Sequence, residues 1–306
     1  MIKVSNLSKR YGTFLALDRI SFSVKKGEIL GLLGPNGAGK TTTMRILTGF
    51  MPPTDGSVSI ADFDIQKDSM SAREQVGYMP ERVPIYPDMT VIGYVTFWAK
   101  MRGMNKPKAR VEAVLERVQL IDRRNSLVRN LSKGMRQRLG LAQALVHDPQ
   151  VVILDEPTIG IDPQQVIEVR DSVRELANDH TVIFSTHILS EAEQVCDRVV
   201  ILNHGQIVAE GEPEKLRRRL QKGTQSIYVE IANKPKHIKN VLQSIPGVQS
   251  VTEHGLGYNL RAKDNTDIRL NIAKHLGNAG HTVLELRPLA MTLEDIFLDV
   301  VGQDDQ

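Results

Sequence analysis

Short apolar runs separate longer amphipathic stretches along the first two thirds of the chain. Residues 29–33, 151–154 and 181–184 are apolar and contain many β-branched side chains, which is typical of buried parallel strands. The spacing of apolar residues between these runs predicts helices over residues 43–49, 91–102, 108–118 and 131–146, and another through Val166, Val169, Val173, Leu176 and Ala177. Residues 197–203 and 206–210 predict a hairpin that turns at His204 and Gly205. The pattern therefore predicts an α/β fold.

The pattern changes near residue 218, which predicts two domains spanning residues 1–218 and 219–306. From Thr224 onward it predicts strands over residues 226–231, 248–252, 258–261 and 281–287, and helices over 237–245 and 268–279. This β-α-β-β-α-β order predicts a small α+β ferredoxin-like domain. Thr292 to Asp295 form a capping box, and one apolar face follows at Leu293, Ile296, Phe297 and Val300. The region shows no catalytic grouping, so we expect it to regulate or to support a dimer.

The composition is that of an ordinary globular protein. The chain has 306 residues, of which 41% are hydrophobic and 25% charged, so it has room for two domains. A net charge of +3 is too small to indicate a nucleic-acid binder, and none is expected as a partner. The single cysteine, Cys196, rules out an internal disulfide and suits a reducing cytosol. No apolar run is long enough to span a membrane, and the start at Ile2-Lys3-Val4 does not look like a signal peptide.

A glycine-rich loop follows the first apolar run and precedes a helix. It fits the pattern G-x-x-x-x-G-K-[ST] at every fixed position. Glycines let backbone N–H groups turn toward a phosphate chain, and the N-terminus of the helix adds positive potential. We therefore expect ATP to contact Gly34, Pro35, Asn36, Gly37, Ala38, Gly39, Lys40, Thr41 and Thr42. Lys40 would reach the β- and γ-phosphates and the Thr41 hydroxyl would bind Mg²⁺, whereas the alternative is a simple turn that caps a helix.

Two adjacent carboxylates end the second apolar run. Asp155 and Glu156 follow residues 151–154, at the edge where doubly wound sheets bind ligands. Asp155 is expected to hold Mg²⁺, directly or through water. Glu156 is expected to act as the general base that polarises the attacking water. The alternative is that these two acids merely end a strand in solvent.

Further segments resemble the motifs of ATP-binding cassette (ABC) ATPases. LSKGM at residues 131–135 is similar to the family signature, and GIDP at residues 160–163 is similar to its D-loop. Tyr11 matches the aromatic residue that stacks on adenine, His187 the switch histidine, and Glu81 the end of the Q-loop. Six motifs thus occur in the order of the family. The resemblance implies a P-loop NTPase cassette with a mixed sheet core and a helical subdomain at about residues 85–145.

The resemblance also implies how the motifs work together. Members of the family dimerise head to tail, so Ser132 and the Gly134 amide would contact the γ-phosphate on the partner subunit. Ser132 would also be the N-cap of its helix, and both roles are compatible. Asp162 would link the two sites, and His187 would hydrogen-bond the γ-phosphate and orient the water. Glu81 would accept a hydrogen bond from Mg²⁺-bound water.

Two positions depart from the family pattern. Where the signature usually has Gly-Gly-Gln, this chain has Lys133, Gly134 and Met135, which keeps the phosphate-contacting glycine and adds a positive charge. The Q-loop normally ends in glutamine, and Glu81 keeps an acceptor oxygen but adds negative charge. A generic loop acid is the alternative at that position. We expect activity to be retained, with metal affinity and coupling altered.

Two further segments suggest contacts with membrane components. Residues 82–89 follow the Q-loop, where members of the family grip a short helix of a membrane subunit. Tyr86 lies in this segment and could serve that contact or fill the helical subdomain, whereas Trp98 is assigned to the core, and Phe97 lies between them in the same region. For the run Arg217 to Arg219, a solvated linker helix is preferred over contact with lipid headgroups.

The whole pattern resembles bacterial exporter ATPases of the drug-resistance and gliding-motility type. It implies an ATP-hydrolysing subunit that forms a homodimer and drives separately encoded permease subunits at the cytoplasmic face of the inner membrane. Its own membrane contact would be indirect, and export rests on the resemblance. The alternatives are a soluble ABC ATPase that acts in assembly or translation, and a nucleotide-dependent regulator with a vestigial ATPase. The intact Lys40, Asp155, Glu156 and His187 argue against the regulator.

Overall fold

The computed structural model of the protein describes residues 1–216, 226–232, 235, 237–263 and 267–289. The chain forms two compact units, Met1–Pro213 and Glu214–Gln306. The predicted boundary near residue 218, the arginine run at 217–219 and the capping box at 292–295 with its apolar face lie outside the described residues. Within the described part, no helix is both long and apolar enough to cross a membrane.

The first unit contains ten strands and seven α-helices among its described residues. The strands are β1 (Ile2–Tyr11), β2 (Phe14–Val24), β3 (Ile29–Leu33), β4 (Asp55–Ile60), β5 (Phe63–Asp64), β6 (Val76–Met79), β7 (Val151–Asp155), β8 (Thr181–Thr186), β9 (Arg198–Asn203) and β10 (Gln206–Gly211). The helices are α1 (Lys40–Leu47), α2 (Ser69–Glu74), α3 (Val91–Met101), α4 (Lys108–Arg117), α5 (Lys133–Leu145), α6 (Pro163–Leu176) and α7 (Leu189–Val195). The predicted helices therefore all form, with ends displaced by a few residues.

A six-stranded sheet of order β10-β9-β3-β8-β7-β6 is the core of the first unit. Strands β9, β3, β8, β7 and β6 are parallel, and β10 joins as an antiparallel strand through the predicted hairpin. Every residue of β3, β7 and β8 is buried, as their apolar runs predict. This arrangement brings the loops after β3, β7 and β8 to one edge of the sheet.

A second, antiparallel sheet of order β2-β1-β4-β5 packs on the first through a shared hydrophobic cluster. The sequence pattern did not indicate this sheet. Alternation in β1 is interrupted by register shifts against β2, and Asn6 and Arg19 both adopt a φ of 48°. Such bulges obscure the period of two that marks a strand. Tyr11, which the sequence assigned to adenine, is the last residue of β1 in this sheet.

Helices α3, α4 and α5 pack against one another between β6 and β7 in the chain. Thr90 caps α3 by accepting a hydrogen bond from the Gly93 amide at 3.1 Å, and Val91, Tyr94 and Val95 are buried beneath it. This group corresponds to the helical subdomain that the resemblance implied.

The described part of the second unit contains β11 (Ser226–Ile231), α8 (Ile238–Gln243), β12 (Val248–His254), β13 (Gly257–Ala262), α9 (Arg269–Asn278) and β14 (Val283–Leu289). The strands form an antiparallel sheet of order β12-β13-β11-β14. This is the strand order of a ferredoxin-like fold, so the prediction is confirmed. Residues of β11, β12, β13 and both helices form a separate hydrophobic core, and Val283 and Leu286 of β14 pack against it.

Candidate functional site

The glycine-rich loop joins β3 to α1 and depends on glycine at its two ends. Gly34 has a φ of 153°, and a Cβ there would lie 2.3 Å from the Leu202 carbonyl oxygen. Gly39 has a φ of 108° and would meet the Leu17 side chain at 2.6 Å. Only glycine tolerates both the left-handed backbone and these close approaches. The loop is therefore held tightly at both ends.

Lys40 is the first residue of α1 and its ammonium group lies inside the loop. The Nζ atom donates to the Gly34 carbonyl at 2.7 Å and to the Pro35 carbonyl at 3.3 Å. The same atom lies 3.5 Å from Oε1 of Glu156, and Lys40 is only 6% exposed. An ion pair thus joins Lys40 of the glycine-rich motif to Glu156, which directly follows β7.

Asp155, the last residue of β7, and Glu156, which follows it, have carboxylates in different surroundings. Asp155 is buried and its Oδ1 accepts a hydrogen bond from Ser185 Oγ at 2.6 Å. The same Ser185 oxygen accepts the Glu156 amide at 3.0 Å, which ties the ends of β7 and β8 together. Glu156 adopts a φ of 50°, a conformation that is uncommon for a residue other than glycine. Strain of this kind often marks functional sites, because packing must hold it in place.

His187 completes a group of three side chains, with Glu156 between Lys40 and His187. Its Nδ1 lies 2.8 Å from Oε2 of Glu156, on the opposite side from Lys40. Each oxygen of the Glu156 carboxylate thus has a different partner. The imidazole remains partly exposed, so it can face a ligand while one ring nitrogen stays bonded to Glu156.

Negative charge accumulates around Asp155. Burial raises the pKa of Asp155, and the nearby Glu156 and Glu81 carboxylates raise it further. Burial, followed by the charge of Asp155, also raises the pKa of the Tyr78 hydroxyl. A divalent cation would relieve this repulsion.

The oxygen donors present fit Mg²⁺. Asp155, Glu81 and the Thr41 hydroxyl offer hard oxygen ligands of the type that Mg²⁺ prefers. Among the described residues, no three His, Cys, Asp or Glu side chains are placed to hold a metal by themselves. A bound Mg²⁺ would therefore need phosphate oxygens or water to complete its shell.

These groups surround an open cleft of about 590 Å³, which we call the Lys40 cleft. Its lining includes Tyr11, Phe14, Ala16, Pro35, Asn36, Gly37, Gly39, Lys40, Thr41, Thr42, Glu81, Glu156, Ile159 and His187. Gly34, Ala38 and Asp155 are buried behind this lining. The structure therefore brings together most of the residues that the sequence assigned to nucleotide and metal.

Two aromatic side chains stand at one side of the Lys40 cleft. The Tyr11 hydroxyl lies 3.1 Å from the Met51 sulfur, and its ring is 44% exposed. Phe14 is 64% exposed beside it and was missed by sequence reasoning. The sequence did contain a signal for Phe14, which lies directly after the turn that follows β1 and close to Tyr11. Two exposed aromatic rings so close together suit a flat ligand.

The signature and D-loop residues do not line the Lys40 cleft. Ser132 is the N-cap of α5, where its Oγ accepts the Met135 amide at 3.2 Å, so the capping role is confirmed. Asp162 caps α6 by accepting the Gln165 amide at 3.1 Å. The two caps are adjacent, since the Gln165 side chain bonds Asp162 and also covers Gly134.

Any side chain at position 134 would have to displace the Gln165 side chain that covers Gly134. A Cβ on Gly134 would lie 1.5 Å from Oε1 of Gln165, and a Cβ on Gly160 would lie 2.1 Å from Nζ of Lys133. The unusual Lys133 thus packs on the D-loop of its own chain. Gln165 is a contact that the sequence did not indicate, because it depends on two helices meeting in space.

Aromatic rings fill the region after the Q-loop. Tyr86 lies 5.6 Å from Phe97, which lies 5.7 Å from Trp98, measured between ring centroids. Tyr86 is 44% exposed, and Trp98 is half-buried rather than fully in the core. Trp98 also borders a second cavity of about 580 Å³, the Trp98 cavity, together with Phe50, Met70 and Met101.

Comparisons with known proteins agree with this geometry. Residues 17–159 match the family model described as ABC transporter, and residues 211–301 match that of the ATP-binding protein DrrA1-3-like C-terminal domain. The linearmycin resistance ATP-binding protein LnrL of Bacillus subtilis (strain 168) is 33% identical over 308 residues. The alignment covers 99% of this chain and 99% of that protein.

Two further comparisons cover mainly the first unit. The Nod factor export ATP-binding protein I of Burkholderia orbicola (strain AU 1054) is 42% identical over 218 residues, covering 70% of this chain and 72% of that one. The dimeric structure of MJ0796, a bacterial ABC transporter cassette, is 25% identical with a TM-score of 0.63, covering 69% of this chain and 98% of that one. The chain therefore belongs to the ATP-binding proteins of ABC transporters and is an ATPase of that family.

Proposed function

We propose that this ATPase subunit works as a homodimer that drives separately encoded permease subunits, with Glu156 as general base. One observation carries the catalytic part: each Glu156 oxygen has its own partner, Lys40 Nζ at 3.5 Å and His187 Nδ1 at 2.8 Å. A carboxylate held in this way can accept a proton from a water molecule that attacks the γ-phosphate. His187 orients that water and hydrogen-bonds the γ-phosphate.

The phosphate loop and the acids behind it hold the rest of the nucleotide. Lys40 binds the β- and γ-phosphates, while Tyr11 stacks on the adenine and Gly34, Pro35, Asn36, Gly37, Ala38, Gly39, Thr41 and Thr42 form the phosphate cradle. Thr41, Asp155 and Glu81 hold Mg²⁺. When bound, the ion neutralises phosphate charge as the terminal phosphoryl group leaves.

A second subunit would complete each ATP site. Ser132, Gly134 and Asp162 lie at adjacent helix N-termini and do not line the Lys40 cleft of their own chain. Cassettes of this family dimerise, which supports a head-to-tail pair in which these residues face the partner's γ-phosphate. ATP then stabilises the closed pair through its γ-phosphate, and hydrolysis removes that contact.

The Trp98 cavity is the surface that we assign to the permease. Phe50 is 76% exposed, Met70 68% and Met101 66%, and these apolar side chains border the same cavity. Exposed apolar groups that lie together suit a protein partner. Docking there would hold the chain at the cytoplasmic face of the membrane. Tyr86 does not line the cavity, but its ring contacts that of Phe97, which contacts that of Trp98.

Export is the transport direction that the relatives support. Their names refer to Nod factor export and linearmycin resistance. The cargo would be recognised by the permease. The alternative function is a soluble ABC ATPase that acts in assembly or translation, and a permease experiment separates the two.

The catalytic proposal is tested with Glu156→Gln. The amide keeps the shape of the side chain but cannot accept the proton, so we expect ATP binding to persist, turnover to be lost and an ATP-dependent dimer to accumulate. Steady-state phosphate release and size-exclusion chromatography with ATP measure these properties. Hydrolysis at the parental rate would show that Glu156 is not the base.

The permease proposal is tested with the same variant. Tagged Glu156→Gln is captured with ATP from detergent-solubilised membranes, and the bound proteins are identified by mass spectrometry. We expect a multi-span membrane protein, whose capture is lost in a Phe50→Asp/Met101→Asp variant that still binds ATP. Recovery with ribosomes or assembly factors alone would favour the soluble alternative.

A further inference from the structure

Glu191 is a buried acid that the ATP site described above does not use. It lies in the first turn of α7, and its Oε2 accepts hydrogen bonds from Thr158 Oγ1 at 2.7 Å and Thr186 Oγ1 at 3.1 Å. Glu191, Thr158 and Thr186 are at most 5% exposed. Because burial removes hydration, the two hydroxyls are the groups that satisfy this carboxylate oxygen.

The two hydroxyls lie close in sequence to the two reactive side chains, one in the loop after β7 and one at the end of β8. Thr158 lies two residues after Glu156, and Thr186 directly precedes His187. Thr186 Oγ1 also accepts the Ile188 amide at 3.0 Å, so the chain is fixed on both sides of His187. One carboxylate oxygen therefore connects the loop after β7 to the last residue of β8.

A second bridge between the same strands lies closer to the sheet. Ser185 Oγ donates to Asp155 and accepts from the Glu156 amide, which fixes the backbone at the strand ends. The Glu191 bridge joins Thr158, two residues after Glu156, to Thr186, the residue before His187. The two bridges together tie the segments that carry Glu156 and His187 to each other.

We propose that Glu191 is a positioning residue that keeps Glu156 and His187 at their 2.8 Å contact. The proposal rests on the roles proposed above for those two residues. Glu191 does not line the Lys40 cleft, so it acts through Thr158 and Thr186 and not on ATP. Its loss therefore lowers the rate of hydrolysis without weakening ATP binding.

The test compares three variants of the full chain. Glu191→Ala removes the bridge, and we expect kcat to fall about 10- to 100-fold, since small misplacements of reacting groups have effects of this size. The KM for ATP is expected to stay within about twofold, because no ATP-binding group is touched. Glu191→Gln keeps an oxygen that can accept both hydroxyls and is expected to restore most of kcat. Glu193→Ala, at an exposed site on the same helix, is the matched control with parental kinetics.

Valine substitutions keep the proposal testable if Glu191→Ala does not fold. Thr158→Val and Thr186→Val each remove one hydroxyl at nearly constant volume, and each is expected to lower kcat with little change in KM. A folded Glu191→Ala with parental kcat would overturn the proposal. Parallel losses of kcat, ATP affinity and melting temperature in all these variants would also overturn it, because they indicate a role in stability alone.

Glu156→Gln is measured in parallel so that the two proposals can fail separately. If Glu156→Gln is inactive while Glu191→Ala keeps the parental kcat, only the positioning role of Glu191 is wrong. If Glu156→Gln hydrolyses ATP at the parental rate, the general base is misassigned, and the contact that Glu191 is proposed to maintain has no catalytic purpose.

Discussion

The two units of this chain place their polar side chains in opposite ways. In the first unit, parallel strands β3, β7 and β8 end at one edge of the sheet, which gathers Lys40, Glu156 and His187 within hydrogen-bond or ion-pair distance. In the described part of the second unit, antiparallel strands run in alternate directions, and charged side chains form local pairs such as Arg287 with Glu285 and Arg269 with Asp267. The parallel topology thus brings reactive side chains together at one edge of the sheet, whereas the antiparallel unit is organised around its own core.

Lys40→Ala is expected to have the largest effect, and the effect should be confined to the first unit. Hydrogen bonds to a charged group contribute about 1.5 to 3 kcal/mol each, so losing the ammonium should weaken ATP binding about 100-fold or more. Equilibrium binding of a fluorescent ATP analogue measures this. The thermal transition of the second unit should not change. Undiminished ATP affinity would contradict the role of the phosphate loop.

Leu260→Ala is the reciprocal change in the second unit. Leu260 is fully buried in the separate core, and truncating such a side chain typically lowers the free energy of unfolding by about 2 to 5 kcal/mol. We expect one calorimetric transition to shift downward while ATP affinity is retained. Loss of ATP binding in a folded Leu260→Ala protein would show that the units depend on each other.

Tyr11→Ala should weaken ATP binding by a smaller amount. Stacking of a base on an aromatic ring contributes about 1 to 3 kcal/mol, and Tyr11→Phe, which loses only the hydroxyl contact with Met51, should keep most of it. Tyr228→Ala is a control in the second unit: Tyr228 also lies near a cation, Arg287 at 4.9 Å against Lys9 at 5.5 Å for Tyr11, but it is buried, so folding of this variant is checked first. Isothermal titration should find a change only for Tyr11→Ala.

Asp155→Asn tests how far the clustering of acidic side chains in the first unit lowers its thermal stability. The native Asp155 carboxyl has a raised pKa, so it binds its proton more tightly than in the unfolded chain and its ionisation at neutral pH opposes folding. The variant should therefore melt at a higher temperature than the parent at neutral pH without nucleotide. The difference should shrink as the pH falls through the folded pKa, where the parental carboxyl becomes neutral.

With bound nucleotide, the parent should melt at a higher temperature than Asp155→Asn. The parent is expected to gain thermal stability from ATP with Mg²⁺, and the variant, which lacks one oxygen anion for the metal, should gain less. Melting curves over a pH series, with and without Mg²⁺ and ATP, measure both effects. A variant that is less stable than the parent at every pH would show that the Asp155 carboxylate contributes to folding.

Motifs and apolar runs predicted the parts of the molecule that are local in sequence. A few consecutive residues specify the loop from Gly34 to Thr41, and a few others specify the strand before Asp155. Most residues that line the Lys40 cleft could therefore be predicted. The ferredoxin-like order of elements could be predicted equally well, because the apolar residues of each strand and helix recur with the period of that element. The antiparallel sheet was missed because Asn6 and Arg19 interrupt that period.

The contacts between distant segments could not be predicted. Glu191 meets Thr158 across 33 positions of the chain, and nothing in α7 alone distinguishes it from the exposed Glu193. The same holds for Gln165, which covers Gly134 only because α5 and α6 begin side by side. Their roles depend on burial, which is a property of the folded chain.

If Lys40 binds the phosphates as proposed, its present contacts also bear on product release. Its ammonium group has acceptors in the Gly34 and Pro35 carbonyls, so phosphate binding would exchange one set of oxygens for another. After a phosphate leaves, these carbonyls and the Glu156 carboxylate would again surround the ammonium group. The return to the starting state of each cycle would therefore cost less free energy than leaving the ammonium group without partners.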